Sequence, residues 1–467
     1  MTKKKARTED SQVSRLPAAS LLPWEERYET GRSQRIITPR AAHAEWNPLT
    51  DRDSIALLEA SNQGRVEALV PVRYERMLAS PFAFYRGAPV VMAYDLAHTP
   101  SSGINVQLCG DCHISNFGLF GSPERALVFD LNDFDETMPG PFEWDVKRTV
   151  ASIVVAARNA GLTRKDARKA VRMALRIYRE KIHEFARRSY LETWYSRVKA
   201  NVLLEMVQKK HRKTASTQLT RARRKDRFAA LEKLTQVVNH ERRIIHDPPL
   251  IYRLDPQEEN FREVVIELFS AYYESLEDSL KRLLSRYRFV DLAHKVVDVG
   301  NVGTRCFVSL WIGIDEGDPL FLQVKQARPS LLEPYLGHSM YNHPGQRVVS
   351  GQRLMQATTD IFLGYGQIGN ETYFIRQLYD MKGTPNLENI PAAYLQRYSG
   401  LCGAVLARAH ARTGDAAQIA GYLGNTDIFD RALSGFAFRY PAQNEADWIT
   451  FKKAIDAGRL ESKVEVL

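Results

Sequence analysis

The sequence contains little cysteine and no long apolar run. Its 467 residues include four cysteines, too few for a disulfide-stapled scaffold, and free thiols are typical of a reducing compartment. The apolar run SIVVAA at 152–157 is typical of the longest, far short of the ~20 residues that cross a bilayer. The first residues, MTKKKARTED, have no apolar segment behind their charges, which argues against a secretory signal. We therefore expect a cytoplasmic protein with no membrane span.

The composition is that of an ordinary globular protein. Hydrophobic residues make up 44% and charged residues 26% of the chain, which excludes wholesale disorder and collagen. At ~150 residues per domain, a chain of this length corresponds to about three packing units.

Positive charge is concentrated in one segment. The chain has 65 basic and 55 acidic residues, a net charge of +10. Residues 209–243, here called the basic arm, contain twelve basic and three acidic side chains, a local charge of +9. The basic arm is either a solvated helical arm or a docking surface for an anionic substrate, a nucleic acid or a membrane face.

The apolar pattern predicts how the chain is divided. Residues 105–135 alternate as in a β-hairpin. From Trp144 apolar residues recur with the helical period, and Thr163 is a plausible N-cap of the second helix. The predicted segments are a disordered tail (1–20), a mixed N-terminal segment (21–104), a hairpin followed by helices (105–290), a small β-rich lobe (291–384) and C-terminal helices (385–467).

A three-stranded antiparallel meander is predicted in the second half of the chain. KVVDVG (295–300) is a short apolar strand ending at a glycine turn, and RCFVSLWIG (305–313) and LFLQVK (320–325) alternate. In the last strand Lys325 lies on the face opposite Leu320. Helices before and after this meander predict an α+β fold.

A pattern at the end of the first predicted strand invites a wrong interpretation. Cys109, Cys112 and His113 match the attachment motif of c-type haem, but that chemistry requires export to an oxidising compartment. The two remaining cysteines, Cys306 and Cys402, do not form a second CxxC pair, which excludes a zinc site of two such pairs. We therefore favour another function for this stretch.

The same stretch carries the residue types that phosphoryl transfer requires. A carboxylate such as Asp111 can orient or deprotonate an attacking hydroxyl, and His113 is either a second catalytic residue or a structural hydrogen-bonder. Mg²⁺ takes hard oxygen ligands from few protein groups, and Asn116 with Asp133 or Asp135 can supply them. The alternative is that these side chains only stabilise turns.

Two motifs here resemble those of aminoglycoside-phosphotransferase and protein-kinase-like enzymes. GDCHISN (110–116) is similar to their HGDxHxxN catalytic loop, and DFDETMPGPFEWD (133–145) is similar to their Asp-Phe-Asp-Asp segment and the Trp-Asp that follows. The resemblance implies that Asp111 is the catalytic base and that Asn116 and Asp133 are Mg²⁺ ligands.

The resemblance also ranks the neighbouring carboxylates. The interval to the Trp-Asp pair favours Asp133 as the metal ligand over Asp130, and Asp130 and Asp135 remain alternatives. Asp145 resembles the buried carboxylate that braces the catalytic loop from the following helix. Cys109 stands where those enzymes have histidine, so the bracing of the loop differs here.

The resemblance further implies a glycine turn over the phosphates and a strand lysine, with ATP and Mg²⁺ as cofactors. Both features stand after the catalytic loop here, whereas kinases place them before it. This order implies a protein-kinase-like two-lobe fold that is circularly permuted, with the catalytic large-lobe half first. The strand lysine is Lys325, its candidate partner is Glu333, and Gln352 is the alternative. The cofactor-binding candidates are Gly300, Asn301, Gly303, Arg305, Lys325 and Glu333.

Over about residues 30–450 the chain also resembles a bacterial family catalogued as domain of unknown function 2252. The similarity is carried by stretches such as SPFAFYRGA (80–88), NVGTRCFVSLW (301–311) and LARAHARTGD (406–415). That family implies no established activity, so the function has to be argued from the site.

The sequence thus predicts an ATP- and Mg²⁺-dependent phosphotransferase whose acceptor is not readable. The first alternative is a nucleotide-binding pseudokinase that docks partners without catalysis. The second is a nucleic-acid-binding protein that uses the basic arm. Lys325 could instead be a surface lysine, and Arg86, in the segment Tyr85-Arg86-Gly87, could meet either a phosphate or a carboxylate.

Overall fold

The computed structural model describes residues 22–199, 216–217, 219–220, 223, 227–248, 250–253, 261–295, 302–378, 381 and 383–462. Among the predicted features, the tail at 1–20, Gly300 and Asn301 lie outside the described residues. The basic arm is described in part, mainly from residue 227 onward.

Helices form the larger share of the structure, as the long stretches of helical apolar period predict. In the described residues no helix is long and apolar enough to cross a bilayer. The helices are α1 (Trp24–Ile37), α2 (Ser54–Ala60), α3 (Val70–Leu78), α4 (Pro81–Gly87), α5 (Pro89–Ala97), α6 (Phe142–Asn159), α7 (Arg164–Phe185), α8 (Tyr190–Tyr195), α9 (Arg227–Leu234), α10 (Phe261–Glu274), α11 (Asp278–Leu284), α12 (Glu333–Leu336), α13 (Pro344–Met355), α14 (Ala392–Thr413), α15 (Ala416–Leu423) and α16 (Ile428–Asp456).

All described strand pairs are antiparallel, and with the helices they make this an α+β protein, as predicted. They are β1 (Asn105–Leu108), β2 (Phe117–Gly121), β3 (Leu127–Leu131), β4 (Met138–Pro141), β5 (Val198–Lys199), β6 (Thr235–Val238), β7 (Glu241–Ile244), β8 (Ile251–Arg253), β9 (Arg288–Lys295), β10 (Cys306–Ile312), β11 (Pro319–Ala327), β12 (Gly364–Ile368) and β13 (Glu371–Gln377).

The largest sheet has six strands in the order β12-β13-β11-β10-β9-β8. The predicted meander is confirmed for β10 and β11, which pair from Cys306 opposite Lys325 to Ile312 opposite Pro319. The first strand, predicted at 295–300, lies outside the described residues except for Lys295, which ends β9. Strand β9 buries residues on both faces and therefore lacks the simple alternation that marks a half-buried strand.

Each face of this sheet has its own apolar cover. Leu322 and Val324 of β11 pack with Leu268 and Phe269 of α10 on one face, and Phe321 lies with α9 on the other. The sequence groups α10 with the large helical unit, but in the structure the helix packs on the sheet. An amphipathic helix shows which face is apolar and does not show which partner covers it.

The second layer joins the predicted hairpin to long helices. Strands β2 and β3 pair as predicted, and β1 pairs with β4. Helix α6 begins at Phe142 and is buried on nearly every side between α4, α7 and α16. The N-cap prediction is confirmed, since the Thr163 hydroxyl accepts a hydrogen bond from the Asp166 amide.

The basic arm is not wholly helical. Its described part includes α9 and then the antiparallel pair β6-β7, in which Thr235 lies opposite Ile244. The interpretation as a helical arm is therefore corrected for residues 235–243. Asn239 and His240 both have positive φ, as the two-residue turn of a tight hairpin requires.

A buried histidine links the N-terminal segment to the C-terminal helices. The His43 side chain is fully buried, and its Nε2–H donates to the Tyr422 hydroxyl at 2.6 Å, which donates in turn to the Thr38 carbonyl. Burial, helped by the nearby ammonium of Lys147, lowers the pKa of His43 to about 3. The folded protein therefore holds this imidazole neutral.

We expect His43 to make the fold sensitive to acid. The unfolded chain binds the imidazole proton near pH 6.5 and the folded chain near pH 3, so this stability is intact above pH 6.5 and is lost as the pH falls. The free energy of unfolding should drop by about 1.4 kcal/mol per pH unit from this group between pH 6 and 4. In His43→Gln, which keeps a donor near the Nε2 position, the melting temperature should fall less steeply over that range. The exposed His98→Gln is the control, and parallel curves for wild type and His43→Gln would contradict the prediction.

Candidate active site

The loop after β1 is held by a carboxylate on α6. The amides of Cys109 and Gly110 donate to the two Asp145 oxygens at 2.7 and 3.0 Å. Gly110 has a φ of 86°, and a Cβ there would lie 2.3 Å from the Glu136 carbonyl oxygen, so only glycine fits. The prediction that Asp145 braces this loop is confirmed.

His410 is a hydrogen-bonded helix histidine, with its Nδ1 2.8 Å from the Tyr178 hydroxyl.

Asp111 follows this brace and is paired with an arginine that the sequence analysis did not single out. Arg148 Nε donates to Asp111 Oδ1 at 2.5 Å, and the guanidinium stacks over the Tyr85 ring at 4.6 Å. Burial raises the pKa of Asp111, and the Arg148 charge opposes that rise while the Asp133 charge adds to it. The carboxyl is thus oriented and partly neutralised by α6.

Asn116 and His113 lie beside Asp111. Asn116 Nδ2 donates to the Asp111 carbonyl oxygen at 2.7 Å, which leaves the Asn116 Oδ1 as the atom for a cation. His113 Nε2 is 3.9 Å from Asp111 Oδ2, beyond a hydrogen bond.

The hairpin β2-β3 returns two further carboxyls to this loop. Lys325 Nζ, on β11, donates to Asp135 Oδ2 at 2.8 Å. Burial favours a higher pKa for Asp133, but the charges of Lys325 and Arg376 outweigh it and lower the pKa to about 2. Burial and the Asp133 charge raise the pKa of Asp135 to about 6 against the pull of Lys325.

These side chains border one cleft between the hairpin and the six-stranded sheet. The cleft has about 800 Å³ of empty space, continuous with solvent. One side holds Asp111, His113, Asn116, Asp133 and Asp135, and the other holds Thr304 with the end of β11. The remaining lining residues are Arg65, Arg86, Pro89, Glu136, Gln326, Ala327, Arg328, Pro329 and Leu331.

Some predicted site residues lie elsewhere. The carboxylate at Lys325 is Asp135, whereas Glu333 accepts from the Ser330 amide and lies 3.5 Å from His338 Nδ1. The pairing of Lys325 with Glu333 is therefore corrected: the next acidic residue along the chain is not the one that meets the lysine in space.

Arg305 and Gln352 interact with other side chains and do not line the cleft. Arg305 forms an ion pair with Glu371 at 3.0 Å and does not line the cleft. Gln352 Nε2 donates to Gln356 Oε1 at 3.0 Å. Gly303 does form a turn with positive φ, 88°, and the next residue, Thr304, lines the cleft.

Asp130 is a structural residue. It forms a fully buried ion pair with Arg408 of α14, and its oxygens accept from the amides of Leu131 and Ala357. Asp130 does not line the cleft, so the alternative that it binds metal is corrected. Its two oxygens are occupied in the folded chain.

The residues fit a cation with few protein ligands. In the described ranges no three His, Cys, Asp or Glu side chains converge as a metal site. Mg²⁺ needs only one or two carboxylates besides phosphate and water oxygens. Asn116 Oδ1 and the Asp133 carboxylate provide hard oxygen donors in the cleft, whereas Cys109 and Cys112 are buried free thiols.

A second cavity is lined by Asn132, the residue before Asp133, and by Arg376 of β13. It has about 590 Å³ of empty space and is lined mainly by amide and other polar side chains. Arg376 donates to the Gln323 Oε1 and to the Asn132 carbonyl, both at 3.1 Å. Among the described residues no hydrogen-bond partner exists for Gln352 Oε1 or Asn132 Nδ2.

The arginines around the cleft had no distinguishing signal in the sequence. Arg148 follows the Trp-Asp pair in WDVKR, one helical turn after Asp145, and that spacing could have placed it beside the loop. Arg376 follows three consecutive buried residues on β13. Arg65 and Arg328 stand outside helices and strands, where the sequence pattern does not show which way they face.

Fold and site together define an α+β protein with a polar, carboxylate-rich cleft between a six-stranded antiparallel sheet and a helical body. A family model described as "uncharacterized protein conserved in bacteria (DUF2252)" matches residues 65–454. The chain belongs to this family. No curated protein and no solved structure matches it.

Proposed function

We propose that this protein is an ATP- and Mg²⁺-dependent phosphotransferase. One observation carries the proposal: Asp111, Asn116 and Asp133 from the first half of the chain border the same cleft as the β11 segment that carries Lys325. Residues with these chemistries are what phosphoryl transfer needs, because the reaction depends on positioning and charge stabilisation.

Each side chain has a role in this proposal. The oxygen of an acceptor hydroxyl bonds to the γ-phosphorus of ATP, and Asp111 accepts the hydroxyl proton. The bond from the γ-phosphorus to the β-γ bridging oxygen breaks, which releases ADP. Arg148 holds the Asp111 carboxyl in place. Lys325 binds phosphate oxygens as a point charge. When bound at Asn116 and Asp133, Mg²⁺ neutralises charge on the phosphates.

The proposal includes a kinase-like fold with permuted order. Its support is the sheet order, in which the lysine strand β11 lies between β10 and β13, and the helix α13 that separates β11 from β12. The chain crosses to the helical body after β13, and Leu119 of the hairpin bridges to Gly383.

The second cavity fits the base of a nucleotide. Its lining includes Gln352 and Asn132, whose Oε1 and Nδ2 atoms are an acceptor and a donor without a partner among the described residues, and Gln323, two residues before Lys325 on β11. Buried polar atoms without partners are costly, and a heterocyclic base presents donors and acceptors in one plane. This favours nucleoside triphosphate over pyrophosphate as the donor.

Mg-ATP should stabilise the wild-type protein and not Asp133→Asn. Ligand at 100 times Kd contributes about 2.7 kcal/mol, which corresponds to a melting shift of a few degrees. The shift should vanish when EDTA replaces Mg²⁺, because Asp133 acts through the cation.

The control for this experiment is Asp456→Asn, an exposed carboxyl at the end of α16. It should keep the full shift. No shift in the wild-type protein would count against nucleotide binding altogether and would favour a role of the basic arm in binding nucleic acid, tested by salt-sensitive association.

A further inference from the structure

Three arginines from three separate segments line one wall of the cleft. They are Arg65, in the loop after α2, Arg86 on α4, and Arg328, which follows β11. The first two belong to the N-terminal segment, which has no part in the phosphoryl-transfer scheme. We call these three residues the arginine wall.

Backbone contacts hold part of the arginine wall in place. Arg65 Nη1 donates to the Val302 carbonyl at 2.5 Å, and the Val66 amide donates to the Gly303 carbonyl at 2.7 Å. Arg328 donates to the Gln63 carbonyl. The loop after α2 is thereby joined to the glycine turn and to the end of β11, and it brings two guanidiniums together.

The cations around the cleft fall into two groups according to the carboxyls on which they act. Lys325 and Arg376 are the charges that lower the pKa of Asp133. The arginine wall lies elsewhere: Arg86 acts on Asp111, and Glu136 is the carboxylate whose charge acts on both Arg65 and Arg328. The wall therefore adjoins the proposed base, whereas Lys325 adjoins the proposed metal ligands.

The electrostatic state of the wall favours a bound anion. Burial lowers the pKa of Arg65 well below its usual value, and the charges of Arg73 and Arg328 lower it further. Burial also lowers the pKa of Arg328. The Glu136 charge opposes these shifts, and this carboxylate also accepts from the Leu331 amide at 2.6 Å. Desolvated like charges are unfavourable unless an anion compensates them.

We propose that the acceptor of the phosphoryl group is itself a phosphorylated compound, whose phosphate the arginine wall binds so that its hydroxyl faces Asp111. Guanidinium groups match phosphate oxygens with paired hydrogen bonds, and the three arginines line the same cleft as Asp111. The inference rests on the proposed function and names its substrate class.

The test uses inorganic phosphate as the probe on protein saturated with Mg²⁺ and a non-hydrolysable ATP analogue, so that the donor site is filled. Calorimetry should show phosphate binding to the wild-type complex. The affinity should fall by about 10- to 100-fold in Arg86→Gln and Arg328→Gln, the loss expected for a charged hydrogen bond. The analogue should bind these variants within about twofold of wild type, because the wall does not contact the donor.

Two controls separate the wall from general effects. The exposed Arg459→Gln should leave phosphate binding unchanged. Arg328→Lys keeps the charge but removes the paired donors, so its phosphate affinity should lie between wild type and Arg328→Gln. Melting temperatures near the wild-type value establish that each variant is folded.

The outcomes distinguish this inference from the proposed function. If the variants lose the analogue and phosphate does not bind the filled complex, the arginines serve the donor, and the inference fails while the phosphotransferase stands. If the wild-type protein binds no Mg-analogue, the proposed function fails. Phosphate titration of the nucleotide-free proteins then tests the arginine wall separately. Weaker phosphate binding in Arg86→Gln and Arg328→Gln than in the wild type supports an anion site at the wall, and equal binding overturns it.

Discussion

Replacing Asp111 by asparagine is expected to lower turnover by roughly 10²–10⁴-fold, the range for loss of a general base. The amide keeps the size of the side chain but cannot accept the hydroxyl proton. Binding of Mg-ATP should change little, because Asn116 and Asp133 remain. Arg148, whose side chain is 2% exposed, loses its counter-charge in this variant, so the melting temperature should also fall.

Turnover can be followed without knowing the acceptor. Phosphate release from ATP measures transfer to water, and the same assay with candidate phosphorylated acceptors measures transfer to them. Asp456→Asn should retain wild-type rates. Full turnover in Asp111→Asn would remove Asp111 from the mechanism. A wild-type protein that binds Mg-ATP but releases no phosphate with any acceptor would instead be a pseudokinase.

Replacing Arg408 by methionine is expected to destabilise the fold by about 3–5 kcal/mol, because it leaves the buried Asp130 charge without its counter-charge. Asp130 would keep its hydrogen bonds from the amides of Leu131 and Ala357 but lose its counter-charge. Both side chains of the pair are at most 2% exposed, so solvent cannot compensate. The melting temperature or the denaturant midpoint measures the loss.

The matched control is Arg431→Met. Arg431 pairs with Asp427 one turn away on α16, at 3.4 Å, and the two side chains are 64% and 59% exposed. Exposed pairs of this kind contribute about 0.3–0.5 kcal/mol. Equal stability losses in the two variants would show that burial of the Asp130 pair does not matter.

The parts of the fold that follow from local pattern were predictable. The β2-β3 hairpin, the meander strands β10 and β11 and the Thr163 cap all arise from alternation, helical period and cap chemistry over a few residues. Strand β9 was not predicted, because both of its faces are covered and its sequence lacks the alternation of a half-buried strand. The partner of Lys325 was misassigned because Asp135 is 190 positions earlier in the chain, a distance over which the sequence pattern carries no contact information.

The sequence also could not show which of three neighbouring aspartates lines the site. Asp130, Asp133 and Asp135 stand within six residues and have the same chemistry, and the motif spacing ranked Asp133 without assigning a role to Asp130. In the folded chain Arg408, on a helix 278 positions later, pairs with Asp130, while the segment between β3 and β4 carries the other two into the cleft.

By itself the sequence determined the α+β class, the elements that flank the site and the residue types that carry its chemistry, because periodicity, caps and turns act locally along the chain. Only the tertiary structure decided which charges meet: Arg148 with Asp111, Lys325 with Asp135, and three arginines on one wall beside the loop. The first two pairings join residues 37 and 190 positions apart in the chain, and they depend on packing that local pattern does not specify. Burial there strengthens each charge interaction and makes each unpaired charge costly.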